Sequence, residues 1–417
     1  MIRHLARAAV RQKWLTSNAR SFRDGGPARR PRLFVDVSVI MRHDAGTGIQ
    51  RVVRSVWAHL AAMAPDTFDV VPVCASSTRG YCFAPSDFLN QPSEENCTAV
   101  GVRPGDKFLG LDLSAHYTPN YLRQLTAWRK HGASLHFIVY DLLPLTRPDW
   151  FSPSTGRNFS RWFSTISRAG DQALCISVAV ADELRRKTIG TLAQHSLKIG
   201  RLHLSGDIAG SLPSVGISKP VASVLERSRS RQSILMIGTV EPRKAYDRAL
   251  DAFEQLWAKR DDGPDLVIVG KPGWKTSELQ SRLHEHPEQG RRLHWLQDVS
   301  DEALTQFYQT CSAVFLASYD EGFGLPLIEA ASHRRWTLVR DIYVFREQSL
   351  SNLCYFTDDA PEQLASALEE LLRAAEASPP PPQSLPAWSW CVDRLLEEIN
   401  LAPDAMAPER PMLRIVS

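Results

Sequence analysis

The chain reads as an α/β protein made of two Rossmann-like domains, and three observations carry that reading. Its 417 residues exceed what one ordinary core organises and divide into two units of about 180 residues each. From residue 233 onward, short apolar runs alternate with amphipathic stretches in a β-α rhythm that winds a parallel sheet. Finally, one device occurs twice: an apolar strand running into a glycine turn, at 234–244 and again at 313–330.

Bulk properties exclude several classes. Hydrophobic residues at 43% and charged residues at 23% describe a globular chain without a membrane span, since no apolar run approaches about 18 residues. The N-terminus lacks the long apolar core of a secretory signal. Seven cysteines, at 74, 82, 97, 175, 311, 354 and 391, are odd in number and form no Cys-x-x-Cys pair. That pattern predicts reduced thiols in the cytoplasm and speaks against a disulfide frame or structural zinc.

Residues 1–32 hold nine Lys or Arg against Asp24 alone, a charge of +8 where the whole chain carries +3, leaving the remainder near −5. Ile2, Leu5, Ala6, Ala9, Val10 and Trp14 recur at helical spacing, with Arg3, Arg7 and Arg11 on another face. Such a helix suits an anionic membrane surface, each cation adding about 1 kcal/mol before screening. A disordered basic tail, or residues added by a misplaced start, also accounts for the composition.

The first strand is expected at 32–38, followed by a helix whose apolar face is Ile49, Val52, Val53, Val56, Trp57 and Leu60. Between them, Gly46-Thr47-Gly48-Ile49-Gln50-Arg51 is either a loop that approaches a ligand or a plain tight connection. Further strands are expected at 68–73, 107–111 and 135–139, with 76–104 as a surface insertion rich in Ser, Pro, Asn and Gly. Asp141 closes the strand at 135–139, where open α/β sheets keep ligands; it either orients a hydroxyl or caps the turn before Pro144. A strand at 171–177 ends in Ser177, which caps the helix at 178–187. Residues 216–232 read as a linker. Strands then fall at 234–238, 266–270, 293–296 and 313–317, with helices at 246–259, 276–285 and 301–310.

The chemistry concentrates after two of these strands. Gly238-Thr239-Val240-Glu241-Pro242-Arg243-Lys244 delivers two adjacent cations, whose charge-assisted bonds to a diphosphate are worth roughly 1.5–3 kcal/mol each. Glu321-Gly322-Phe323-Gly324-Leu325-Pro326-Leu327-Ile328-Glu329 places glycines at a strand-to-helix turn, with Pro326 suited to a first helical position. Backbone N–H groups and the positive end of a helix meet there, a ready anion site. Glu321 and Glu329 make sense beside a phosphate when they accept hydrogen bonds from hydroxyls. Together the stretches describe a site for a nucleotide-diphosphate sugar.

These two blocks resemble the retaining glycosyltransferases of the GT-B fold known as family 4 or group 1, and within it the mannosyl- and rhamnosyltransferase-like members that build bacterial surface polysaccharides. The resemblance covers about 33–400. It implies an acceptor domain at 33–215, the linker at 216–232, a donor domain at 233–385, a helix at 386–400 crossing back to the first domain, and a tail at 401–417. By the same resemblance Arg243, Lys244, Glu321 and Asp141 are catalytic. Gly238, Thr239, Gly322, Phe323, Gly324, Leu325, Glu329 and Gly48 would bind the donor, Glu321 taking its sugar hydroxyls and Glu329 its ribose. Trp274, in Gly270-Lys271-Pro272-Gly273-Trp274, either stacks on the base or packs on a neighbouring helix.

The sequence also departs from the family. Tyr140 replaces the usual histidine before Asp141, Thr239 stands where relatives place arginine, and His333-Arg334-Arg335-Trp336 lacks the glycine and proline of a His-Gly-x-Pro turn. No Asp-x-Asp metal motif is present, so neither a divalent ion nor another cofactor is expected. The activity implied is retaining transfer of mannose or rhamnose to a growing glycan or lipid-linked saccharide, in the cytoplasm or on the inner face of its membrane, with no nucleic-acid partner. A catalytically silent subunit of a polysaccharide assembly complex and a GT-B epimerase are the alternatives.

Overall fold

The computed structural model describes residues 30–63, 67–76, 79–89, 98–189 and 197–401. The expected basic helix before residue 30 and the tail after 401 lie outside them. Among the described residues no helix is long and apolar enough to cross a membrane.

Among the described residues the first sheet has seven strands: β1 (Arg32–Asp36), β2 (Asp69–Ala75), β3 (Tyr81–Phe83), β4 (Lys107–Gly110), β5 (Ser134–Val139), β6 (Gln172–Cys175) and β7 (Lys198–Arg201). Their order is β3-β2-β1-β4-β5-β6-β7, all parallel except β3. The second sheet is wholly parallel, in the order β10-β9-β8-β11-β12-β13. Its strands are β8 (Ser233–Ile237), β9 (Asp265–Val269), β10 (Leu293–Leu296), β11 (Ala313–Leu316), β12 (Thr337–Arg340) and β13 (Leu353–Phe356). Strand order reverses between β1 and β4 in one sheet and between β8 and β11 in the other. Loops leaving those strands therefore open onto the crevice where such sheets bind ligands.

The helices that position the site are α1 (Gly48–Met63), α2 (Val178–Thr188), α3 (Lys219–Ser230), α4 (Tyr246–Lys259), α5 (Asp301–Thr310), α6 (Leu325–Ser332), α7 (Pro361–Ala377) and α8 (Trp388–Glu398). Each forms because apolar residues recur on one face: Val52, Val53, Val56, Trp57 and Leu60 in α1, and Trp388, Cys391, Val392, Leu395 and Leu396 in α8, are buried. Helix α8 packs on α1, and the Trp388 indole donates to the Asp207 carbonyl at 2.9 Å. One apolar cluster runs from the first domain into the second through Leu325, Leu327 and Ile328. Two Rossmann-like domains thus face each other, with the last helix returned to the first, as the GT-B expectation requires.

Three expectations are corrected. The stretch at 76–104 is no simple insertion: β3 lies within it, hydrogen-bonded antiparallel to β2, with Tyr81 wholly buried. Three residues give too short an alternation to stand out. Most of the range read as a linker is α3, whose Val221, Val224 and Leu225 are buried. Reduced thiols hold for Cys74, Cys175, Cys311, Cys354 and Cys391, but Cys82 is disulfide-bonded. Pairing needs only two Cα atoms about 5.5 Å apart, which sequence spacing does not reveal.

Removing the indole that seats α8 tests how firmly the returning helix is held. Trp388→Ala is expected to cost about 3–5 kcal/mol, seen by calorimetry as a lower unfolding temperature, while exposed Ser389→Ala stays within about 0.5 kcal/mol.

Candidate functional site

Both glycine turns fall where the second sheet reverses its order. After β8, Gly238 takes a φ of 129°, and a 3₁₀ turn at Pro242–Lys244 lifts Arg243 and Lys244 toward the turn that follows β11. There Glu321 accepts from both cations at once, Oε2 from Arg243 and Oε1 from Lys244, while the Ser318 hydroxyl donates to Oε1 at 2.8 Å. Arg243 also pairs with Glu241 at 2.7 Å, and its carbonyl accepts the Tyr319 N–H at 2.8 Å. Burial would push the Glu321 carboxyl up, but the two adjacent cations outweigh it and hold the group down at about 2.

Gly324, with a φ of 89°, is the N-cap of α6, and Pro326 follows within its first turn. A Cβ on Gly324 would meet the Phe345 ring at 2.7 Å, so only glycine makes this turn without displacing that ring. Phe323 is buried against the core and faces no open space. Thr239 lies beside Gly273, and the Gly238 carbonyl accepts from Tyr246 at 2.7 Å.

The first domain closes over this arrangement. A Cβ on Gly322 would overlap the Tyr140 carbonyl oxygen and lie 3.3 Å from the Asp141 Cβ, so the turn after β5 sits directly on the turn after β11. A Cβ on Gly48 would meet Leu325 Cδ1 at 3.5 Å, an ordinary contact. Asp141 accepts the Leu143 N–H at 3.1 Å, which makes it the cap before Pro144. It also faces the charged cluster: burial raises its carboxyl to about 6, with Arg243 partly opposing the rise. Tyr140 turns inward instead, donating to the Leu111 carbonyl at 2.7 Å, so its side chain cannot take over work done by a histidine in the cleft.

Glu329 lies apart from the cations. Its Oε1 accepts from Arg51 of α1 and its Oε2 from Tyr308 of α5 at 2.7 Å, and the residue is 1% exposed. Arg51 reaches Asp301 as well, at 2.7 Å. In the sequence Arg51 stands out only as part of a glycine loop, and Tyr308 and Asp301 carry no local signal. Trp274 packs at the end of the 3₁₀ turn Pro148–Trp150: its ring lies near Phe151 at 5.8 Å between centroids, its N–H reaches the Trp150 carbonyl at 2.7 Å, and it is 42% exposed. Lys275 donates to the Asp149 carbonyl at 2.6 Å, a second link over the same gap.

At the departure from the family turn, Arg334 itself adopts a φ of 54°, the left-handed conformation that glycine favours. Its side chain donates to the Pro380 carbonyl at 3.0 Å, so the turn persists without glycine. His333 stacks on Tyr308 at 5.3 Å, next to Glu329. Among the described residues no group of three or more His, Cys, Asp or Glu is placed to hold a metal ion.

Known proteins resemble this chain in sequence and in fold. Residues 223–378 match the family model of glycosyl transferases group 1. A serotype-specific mannosyltransferase, WbdA of Escherichia coli, is 35% identical over 370 residues, which is 86% of this chain and 45% of WbdA. The chain therefore spans about half the length of that relative. The O-antigen chain mannosyltransferase RfbU of Salmonella typhimurium is 27% identical over 265 residues, covering 63% of this chain and 65% of RfbU. Among solved structures, Anabaena HepE in complex with UDP and glucose shares the fold with a TM-score of 0.57 at 13% identity, over 89% of this chain and all of HepE. Both glycine turns, the cation pair and Glu321 all lie within residues 223–378, the stretch that matches glycosyl transferases group 1.

Proposed function

We propose that the chain transfers mannose, with retention, from GDP-mannose to a hydroxyl of a growing O-antigen-type glycan. The observation that carries this reading is the convergence of Arg243 and Lys244 on Glu321 at the tip of α6, facing Asp141 across the cleft. Mannose comes from the names of the relatives, a serotype-specific mannosyltransferase and an O-antigen chain mannosyltransferase.

Glu321 compensates the two cations. A bound diphosphate takes over that role, freeing Glu321 to accept from hydroxyls of the donor sugar. Arg243 and Lys244 then stabilise the charge that grows on the departing phosphate, helped by backbone N–H groups at Gly324 and Leu325. Gly238, Thr239, Gly322, Phe323 and Gly48 shape the backbone around the diphosphate, and Glu329 accepts from the ribose. Asp141, when ionised, orients a reacting hydroxyl. Retention follows from front-face attack, in which the leaving phosphate takes the acceptor proton, and closure of the domains keeps water out. Fixed cations supply the charge compensation that a divalent ion supplies elsewhere, so neither metal nor other cofactor is used. The reaction takes place in the cytoplasm, with the basic segment 1–32 resting on the anionic inner face of the membrane.

The catalytically silent reading is not favoured, because Arg243, Lys244 and Glu321 remain one ion-paired cluster. Turnover of GDP-mannose on a mannose-terminated acceptor, in the presence of EDTA, tests the proposal. Arg243→Ala and Lys244→Ala are each expected to lower kcat by about 100-fold or more. Near-normal turnover in both removes the assignment.

The Asp141 carboxyl, raised to about 6 by burial, predicts a pH dependence. If the ionised form orients the hydroxyl, kcat/KM falls as pH drops below about 6, where the proton returns. Asp141→Asn is expected to be slower at every pH and to lack this limb. An unchanged limb in the variant assigns it to another group.

A thermal-shift comparison of GDP-, UDP- and dTDP-sugars decides the nucleotide. GDP-mannose at 100 times its Kd is expected to add about 2.7 kcal/mol of stability, and the other donors little. A larger shift with UDP- or dTDP-sugars replaces the donor named here.

A further inference from the structure

The ion pair at Glu329 joins elements from opposite sides of the cleft. Arg51 comes from α1 of the first domain, and Glu329 and Asp301 come from α6 and α5 of the second. Asp301 is itself pinned, accepting the Ser214 N–H at 3.0 Å and its hydroxyl at 2.9 Å, so one end of the Arg51 guanidinium has a fixed anchor. The other end donates to Glu329, while the buried Arg51 Nε has no hydrogen-bond partner. Glu329 itself is buried. A Cβ on Gly206 would meet Ile328 Cγ2 at 2.7 Å and the Glu329 N at 2.9 Å, so backbone of the first domain lies directly on this turn of α6. The arginine therefore stands where a hydroxyl donor to Glu329 would stand.

We propose that Arg51 is a specificity-determining residue for the donor. It occupies Glu329 until a nucleotide arrives whose ribose hydroxyls replace its hydrogen bond. The exchange is electrostatically feasible because neither partner is stranded. Arg51 keeps Asp301 when it leaves Glu329, and Glu329 keeps the Tyr308 hydroxyl while it accepts from the ribose. A nucleotide without these hydroxyls offers Glu329 nothing in return and leaves Arg51 in place. The inference rests on the reading of Glu329 as the ribose acceptor and adds the residue that competes for it.

Isothermal titration of the full chain with GDP and with 2′,3′-dideoxy-GDP tests the competition. Because a ligand that must displace an internal competitor binds with reduced apparent affinity, Arg51→Met is expected to bind GDP about tenfold more tightly than the wild type. Binding of 2′,3′-dideoxy-GDP is expected to change by less than about twofold, since it never meets the competitor. Arg51→Gln keeps a weaker, neutral donor and guards against misfolding of the first variant; it is expected to tighten GDP by about threefold. Equal tightening of both ligands means that Arg51 only holds the domains shut. Unchanged or weaker GDP binding means that it does not compete at all. Either result overturns the proposal. A wild-type chain that binds no nucleoside diphosphate overturns the underlying site reading as well, and is distinguishable because the failure then appears before any substitution is made.

Discussion

The architecture of the cleft depends on one buried carboxylate held between two cations. Glu321 belongs to the turn after β11, Arg243 and Lys244 to the turn after β8, and these are the two strands between which the second sheet reverses its order. Charges removed from water in this way are tolerated only as a set, because deleting one member leaves another uncompensated. The cluster therefore ties the two turns together before any ligand arrives. Ser318 and the Tyr319 N–H extend the tie to the backbone on either side. A site built in this manner has its cations already aimed, so little reorganisation is needed when negative charge develops nearby.

The two domains contribute unlike things to the cleft. The second supplies fixed charge, in Arg243, Lys244 and Glu321. The first supplies close backbone at Tyr140 and Gly206, and one carboxyl, Asp141, that changes protonation within a physiological range. Glycine is needed at Gly322 because the approach of the Tyr140 carbonyl leaves no volume for a side chain. The same closeness explains how a single apolar cluster continues from one domain into the other.

Much of the second domain was legible because its first four strands are short, mainly apolar runs, two of them followed directly by glycine, and helices at 246–259 and 301–310 match their expected bounds. Strands β7, β12 and β13 escaped notice: Lys198–Arg201, Thr337–Arg340 and Leu353–Phe356 are four residues each, and two of them carry charge. Their β state comes from neighbours in the sheet and not from local preference. Arg334 escaped for a related reason, since a left-handed arginine is visible only once its backbone is seen. The candidate site was legible where its members adjoin in sequence, as Arg243 with Lys244, or share a turn, as Glu321 with Gly324. The pairing of Arg51 with Glu329 spans 278 residues, and no local pattern announces it. Cys82 belongs to the same class, because covalent partners are chosen by proximity in space.

The chain passes between the domains twice, and the two passages touch. Residues 214–216 are already fastened to α5 through Asp301 and Glu302, while on the return the backbone up to Pro380 is fastened to the second domain through Arg334 and Trp336. What remains between these fastenings and the first domain meets at one place, where the Trp388 indole binds the Asp207 carbonyl and Gly210 lies close under the same ring. Two strands of chain crossing side by side act as a single pivot. A parting of the lobes that keeps the Asp207–Trp388 contact turns about it.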